Sequence, residues 1–203
     1  MRGIFVTFEG PDGCGKSTIA NLVYEKLKAE YDVVKTREPG GTKISEKIRN
    51  IILDNENIEM TSRTEALLYA ASRAQHVEEK ILPALKNGSI VLCERFVLSS
   101  IAYQGFGRGL GRESIENINK FATGEVEPDV VFLFDTGNIS SENRKLEFGG
   151  DRIEICGNEF HSRVKEAYRE LAKEKKYCVI DATRGIEEVL NDCLDILYKK
   201  LEG

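Results

Sequence analysis

The nine residues Gly10-Pro11-Asp12-Gly13-Cys14-Gly15-Lys16-Ser17-Thr18 satisfy the pattern G-x-x-x-x-G-K-[ST] at every fixed position, and the chemistry that spacing serves is polyphosphate binding. Glycines at 10, 13 and 15 let the backbone bend tightly and turn its N–H groups inward, so an anion is wrapped without side-chain collision. Lys16 is then expected to reach the outer phosphates. The Ser17 hydroxyl, in the first helical turn, is placed to hold Mg²⁺, and the amides and dipole of that helix favour an anionic ligand.

Further charged and aromatic residues fall where they could join this loop. Arg37 ends one apolar run and opens Arg37-Glu38-Pro39-Gly40-Gly41-Thr42, in which Pro and paired Gly force a loop. Glu94-Arg95-Phe96 ends another; a carboxylate there can hold Mg²⁺, and the adjacent arginine can fork a phosphate. Tyr69 and Arg73 are four apart on a predicted helix, so a ring and a guanidinium could sandwich and hydrogen-bond a flat base. His76 extends that stripe and is expected at the helix surface. Ser99, Ser100, Tyr103 and Gln104 share a short predicted helix, followed by a flexible, basic Gly105 to Arg112.

The elements that must position these groups alternate in type. Ile4–Phe8, Asp32–Thr36, Ser89–Cys93, Val130–Asp135 and Tyr177–Ile180 are apolar runs of strand length, consistent with strands buried on both faces. Between and after them, apolar residues recur at helical spacing: Ile19, Leu22, Val23, Leu27; then Phe160, Val164, Ala167, Leu171; then Ile186, Val189, Leu190, Cys193, Leu197, Leu201. The longest such pattern, Thr61 to Lys86, steps through Leu67, Ala70, Ala74, Val77, Ile81 and Leu85, with Pro83 expected to kink its end. Strand–helix alternation predicts an α/β doubly wound parallel sheet of five strands with right-handed crossovers. Loops beyond the carboxyl ends of such strands line the ligand crevice, which brings Arg37 and Glu94-Arg95 to the side of the glycine loop.

At 203 residues the chain is long enough for one domain over residues 1–203, with no Pro/Gly/Ser linker dividing it. The polar stretch at about 136–154, carrying Arg144, Lys145 and Arg152, reads as an inserted lid able to bring positive charge over phosphates. A net charge of −5 argues against nucleic-acid or membrane-surface partners, which are bound through broad basic patches. Five scattered cysteines without a C-x-x-C pair, and only two histidines, point to reduced structural thiols in a cytoplasmic protein rather than a metal centre. Neither a signal peptide nor a membrane span is predicted.

With these pieces in order, the chain resembles the thymidylate kinases from its N-terminus to about Val189. The resemblance is carried by Phe8-Glu9-Gly10 through Thr18, Arg37 through Thr42, Glu94-Arg95-Phe96 with Ser99 through Gly105, Asp151-Arg152-Ile153-Glu154, and Ile180-Asp181-Ala182. It implies the P-loop NTPase fold of nucleoside monophosphate kinases, a cytosolic homodimer, and transfer of the γ-phosphoryl group of ATP, with Mg²⁺, to thymidylate (dTMP). Carried over by motif, Asp12 would bond the 3′-hydroxyl of the acceptor sugar, and Arg37 and Arg95 would hold its phosphate. Tyr69 would lie on thymine, Arg73 would bond the base edge, Ser100 and Gln104 would lie near the base, and Tyr103 under the sugar. Gly13 stands where another branch of the family has an arginine, which assigns the catalytic lid cation to Arg144, Lys145 or Arg152, beside Lys16 and Arg95. Glu94 is one methylene longer than the usual Asp, and Phe96 stands where relatives usually carry Tyr or His. The alternatives are a related deoxynucleotide or nucleoside kinase, or a nucleotide-binding switch; against the switch, the chain has no N-K-x-D motif.

Overall fold

A computed structural model of the protein describes residues 2–137 and 150–202. Five strands, β1 (Phe5–Glu9), β2 (Val33–Arg37), β3 (Ile90–Glu94), β4 (Val130–Asp135) and β5 (Cys178–Asp181), form one sheet in the order β2-β3-β1-β4-β5. Every pairing is parallel, as the continuous apolar runs predict. The helices are α1 (Lys16–Leu27), α2 (Lys43–Leu53), α3 (Ser62–His76), α4 (Leu82–Lys86), α5 (Val97–Ser100), α6 (Arg112–Thr123), α7 (Asn158–Leu171) and α8 (Ile186–Glu202).

Alternation along β1 divides the core. Val6 and Phe8 face one layer with Ile19 and Val23 of α1 and Leu190 and Leu197 of α8, while Phe5 faces the other with Ile81, Leu85 and Phe96. A third cluster, around Tyr103, Ile115, Phe160 and Tyr168, packs α5 to α7 beneath the crevice. The strand order runs outward from β1 in both directions, and the carboxyl ends beside it form the crevice.

The structure corrects four expectations. The helical run from residue 62 to 86 is not uniform, because Val77–Ile81 forms a π-helical turn between α3 and α4. Pro83 has no N–H for the carbonyl four residues back, so the helix widens just before it. Leu67, expected on the buried face of α3, is 57% exposed, while Glu65, Ser72, Arg73 and His76 are buried. The inward face is the polar one because those groups find partners inside. Gly105 and Gly107 are not in a flexible segment: both are buried in a π-helical turn, Ile101–Gly107, where a Cβ on Gly107 would come within 2.7 Å of the Phe160 ring. Finally, α2 and α6 are helices that the sequence reading did not assign. Thr42 caps α2 through its hydroxyl, and Gly124, at φ 56, ends α6 in the left-handed conformation glycine allows.

All five cysteines are free. Among the described residues, no helix is long and apolar enough to cross a membrane.

Candidate active site

The glycine loop leaves β1 at Glu9 and enters α1 at Lys16. Gly10 has φ 141, and a Cβ there would lie 2.8 Å from the Phe134 carbonyl oxygen, so sterics demand glycine at this turn. Lys16, 4% exposed, donates from its ammonium to the Pro11 carbonyl at 2.6 Å and to Cys14 Sγ at 3.4 Å. It therefore points into the concavity of its own loop. Burial, and then the nearby charge of Arg95, hold its pKa below the usual lysine range; a bound polyphosphate would raise it again.

At the mouth of the loop, Ser17 Oγ donates to Glu94 Oε1 at 2.7 Å. Glu94 arrives from the end of β3, in register with Phe8 of β1 and Arg37 of β2. Two hard oxygens thus converge beside the phosphate cradle, a donor set that fits Mg²⁺, which takes one or two protein oxygens and keeps waters and phosphate oxygens for the rest. The extra methylene of Glu94 does not prevent that convergence.

Arg95 joins the loop to a second cavity. Its Nη2 donates to Asp12 Oδ1 at 2.6 Å, and its Nη1 to the Gly10 carbonyl at 3.1 Å and Ser99 Oγ at 2.9 Å. Tyr103 donates from its hydroxyl to the other Asp12 oxygen at 2.7 Å. Behind them, the buried carboxylate of Glu9 accepts from Ser99 Oγ at 2.5 Å and from the Phe96 N–H at 2.7 Å. Desolvation raises the Glu9 pKa, partly offset by those bonds and by Arg95. Arg95 has φ 64, a left-handed conformation uncommon outside glycine, and this turn directs its guanidinium back over the glycine loop.

The second cavity is lined by Arg37, Arg49, Tyr69, Arg73, Tyr103 and Gln104, with Asp12 and Arg95 on its shared wall. Tyr69 is partly buried one helical turn from Arg73. Arg37 lies at the rim, tied to the Pro39 carbonyl at 2.8 Å and to Glu46 at 3.1 Å. Arg73 is far less free than the sequence predicts. Four of its five N–H groups are taken: by Glu38 Oε2 at 2.7 Å, Ser100 Oγ at 3.0 Å, Asn119 Oδ1 and the Phe96 carbonyl at 3.0 Å. One N–H remains for a ligand, and Ser100 serves as a support for Arg73. Phe96 lies edge-on to Phe5, with ring centroids 5.0 Å apart, and its face lies under the Arg73 guanidinium; a polar tip has no place in that packing.

His76 is corrected outright. It is fully buried, with Nδ1 2.9 Å from Glu38 Oε1 and Nε2 2.7 Å from Thr36 Oγ1. Glu38 is therefore shared between Arg73, which lines the cavity with it, and His76, which lies behind them. Arg73→Met would strip a cation from a carboxylate whose side chain is only 2% exposed, and the expected loss of stability, read by urea unfolding, is about 3–5 kcal/mol. Adding Glu38→Gln should restore at least half of it. A single variant as stable as the parent would remove the pair from any structural role.

Arg152 is also corrected. Expected as a lid cation, it is 4% exposed, donates to the Ile52 carbonyl at 2.6 Å and pairs with Glu65 at 2.8 Å. The turn containing it is fastened to the end of α2 rather than extended over phosphates. Arg144 and Lys145 lie outside the described residues. Three further groups in or beside the cavity, Glu38, Glu65 and Arg49, are not singled out by the sequence. Glu38 at least sat in a motif; Glu65 and Arg49 had no local signal, because their partners are distant in the chain.

A phosphate cradle sharing a wall with a cavity that has aromatic, arginine and amide groups is the arrangement of a kinase acting on a small nucleotide. The family model for thymidylate kinase matches residues 8–193. This chain belongs to the thymidylate kinase family. It is 58% identical over 200 residues to the thymidylate kinase of Finegoldia magna, covering 97% of this chain and 98% of that one. It is 50% identical over 210 residues to that of Lactobacillus helveticus, covering 99% and 98%. The crystal structure of thymidylate kinase from Ehrlichia chaffeensis superimposes with a TM-score of 0.77 at 32% identity, covering 98% of this chain and 99% of that one. Within the thymidylate kinase fold, the loop from β1 and the turn after β3 therefore meet across the shared wall described above.

Proposed function

We propose that this protein transfers the γ-phosphoryl group of ATP to the 5′-phosphate of dTMP, giving dTDP and ADP. The observation that carries this reading is the Asp12–Arg95–Tyr103 junction. It makes one wall serve both the Lys16 cradle and the cavity holding Tyr69, Arg73 and Gln104. Phosphoryl transfer asks little covalent chemistry of the protein, so alignment and positive charge supply most of the rate. Lys16 and the loop amides hold the donor phosphates, and Arg95 holds the acceptor phosphate where it faces them. Asp12 fixes Arg95 and offers its carboxylate to the sugar hydroxyl. The Tyr103 ring, locked by its bond to Asp12, forms the floor under the sugar, and Tyr69 offers its face to the base. Ser17 and Glu94 would hold Mg²⁺, which supplies charge neutralisation between donor phosphates.

We also infer a homodimer. Ile44 and Ile51, two turns apart on α2, are 49% and 48% exposed, and Leu67, on the α3 helix packed against it, is 57% exposed: three large apolar side chains left uncovered on two neighbouring helices.

An ADP-release assay with ATP and Mg²⁺ tests the activity against dTMP, deoxyuridylate (dUMP), the other nucleoside monophosphates, thymidine and no acceptor. Turnover is expected to be fastest with dTMP and to vanish without an acceptor. Fastest turnover with a purine nucleotide would overturn the base assignment, and rapid acceptor-free hydrolysis would favour a switch. Light scattering on the same preparation should give twice the 22.8 kDa chain mass; the mass of one chain would refute the dimer.

A further inference from the structure

Gln104 lies in the π-helical turn after α5, is 1% exposed and lines the acceptor cavity. Its Nε2 is 3.0 Å from Oε1 of Glu65, a fully buried carboxylate on α3. Which end of a glutamine amide is nitrogen is settled by its partners, and here the partner leaves no choice. Glu65 Oε1 also accepts from Arg108 Nε at 3.1 Å, and Oε2 accepts from Arg108 at 2.9 Å and Arg152 at 2.8 Å. Burial alone would raise the Glu65 pKa, but the bonds from Arg108, Gln104 and Arg152 outweigh it and hold it below the usual carboxylate range. Both its oxygens are acceptors, so the amide NH₂ of Gln104 must face it.

The carbonyl Oε1 of Gln104 is then the polar atom left for the cavity, and it has no hydrogen-bond partner among the described residues. A carbonyl open to the cavity with no protein partner favours a ligand that brings a donor and penalises one that brings a second acceptor. Thymine and uracil carry a ring imide N–H on their pairing edge, whereas cytosine has a bare acceptor nitrogen at that position. We propose that Glu65 is a positioning residue for acceptor specificity: by holding the Gln104 amide one way round, it presents a carbonyl that selects bases with an imide N–H and rejects cytosine. This rests on the nucleotide-acceptor reading of the cavity, and it gives Glu65, which meets no substrate, a role that acts through Gln104.

The comparison of dUMP with deoxycytidylate (dCMP) tests it, because the two differ only at the edge in question. Dissociation constants by calorimetry and kcat/KM are measured for both on the same protein. The parent should prefer dUMP. In Glu65→Gln, Arg108 and Arg152 keep the new carbonyl at the Oε2 position, so the new NH₂ takes the Oε1 position at the expense of the 3.1 Å bond from Arg108 Nε, and Gln104 turns its amide round to accept from it. The dUMP-to-dCMP ratio should fall about tenfold or more, mainly through KM, as expected when a good hydrogen bond is exchanged for an unpaired one. Arg108→Lys weakens the same ion pair but keeps the carboxylate, and its ratio should stay within about threefold of the parent. A purely structural role would instead harm both variants alike and leave both ratios unchanged.

Where Glu65→Gln fails to fold, Gln104→Met carries the test: it must lose the discrimination, and an unchanged ratio overturns the proposal. Equal affinity of the parent for dUMP and dCMP also overturns it. Absence of turnover with every acceptor would reject the proposed activity, while the calorimetric ratio would still decide the role of Glu65.

Discussion

Arg95→Met is expected to lower kcat/KM for dTMP by about 10³, roughly 4 kcal/mol of transition-state stabilisation, while the ATP dissociation constant changes only a fewfold. Arg95 is the cation on the acceptor side of the shared wall, 2.6 Å from Asp12 and in contact with Ser99 and Gly10. Its removal leaves the acceptor phosphate without a fork and frees Asp12 and Tyr103 to move. The backbone adds a second readout. At φ 64 a side chain costs about 1 kcal/mol that glycine avoids. Arg95→Gly should therefore be as inactive as Arg95→Met yet more stable than it by that amount. Steady-state kinetics with calorimetric ATP titration and thermal unfolding separate the two effects. A loss of less than tenfold would show that another cation holds the acceptor phosphate.

Lys16→Met should be equally damaging and differently distributed. The expected fall in kcat is about 10²–10³, the range for removing one preorganised donor from a developing anion. Since Lys16 acts on the phosphates of the donor, the fall should be the same for dTMP and dUMP, whereas the loss in Arg95→Met tracks the acceptor. Single-turnover measurements at saturating ATP read this directly. Lys16→Arg should not restore activity: Lys16 is 4% exposed with its ammonium 2.6 Å from the Pro11 carbonyl, and a planar fork does not reproduce a compact point charge at that position. Wild-type rates in either Lys16 variant would mean that the loop amides hold the donor without it.

Much of this architecture was legible because it is written in local terms. Five apolar runs became five parallel strands, each within a residue of its predicted bounds, since a strand covered on both faces tolerates few polar side chains. The glycine loop was legible for the same reason: its conformation depends on which residues can adopt positive φ, and Gly10, Gly13 and Gly15 do so. Helix α3 was misjudged for the opposite reason. The apolar spacing that ran through Leu67 suggested a hydrophobic inner face, but the helix turns Glu65, Arg73 and His76 inward, where buried polar groups satisfy one another. Nothing in a hydrophobic pattern announces such a face. Along α2 and α6, too, isoleucines recur at helical spacing, Ile44, Ile48 and Ile51 in one and Ile115 and Ile118 in the other, so both helices carry a local signal in the sequence.

The sequence by itself determined where phosphate can bind and which strand ends face it, because backbone conformation and strand burial are set by neighbouring residues. Only the tertiary structure decided which charged side chains are available for chemistry. Arg73, Arg152 and His76 carry the right groups, but their partners lie 35, 87 and 38 residues away in the chain. A carboxylate brought that close in the interior, where little water competes for it, decides whether a cation meets a ligand or is held in the wall. The same long-range pairing fixed the direction of the Gln104 amide, 39 residues from the carboxylate that orients it.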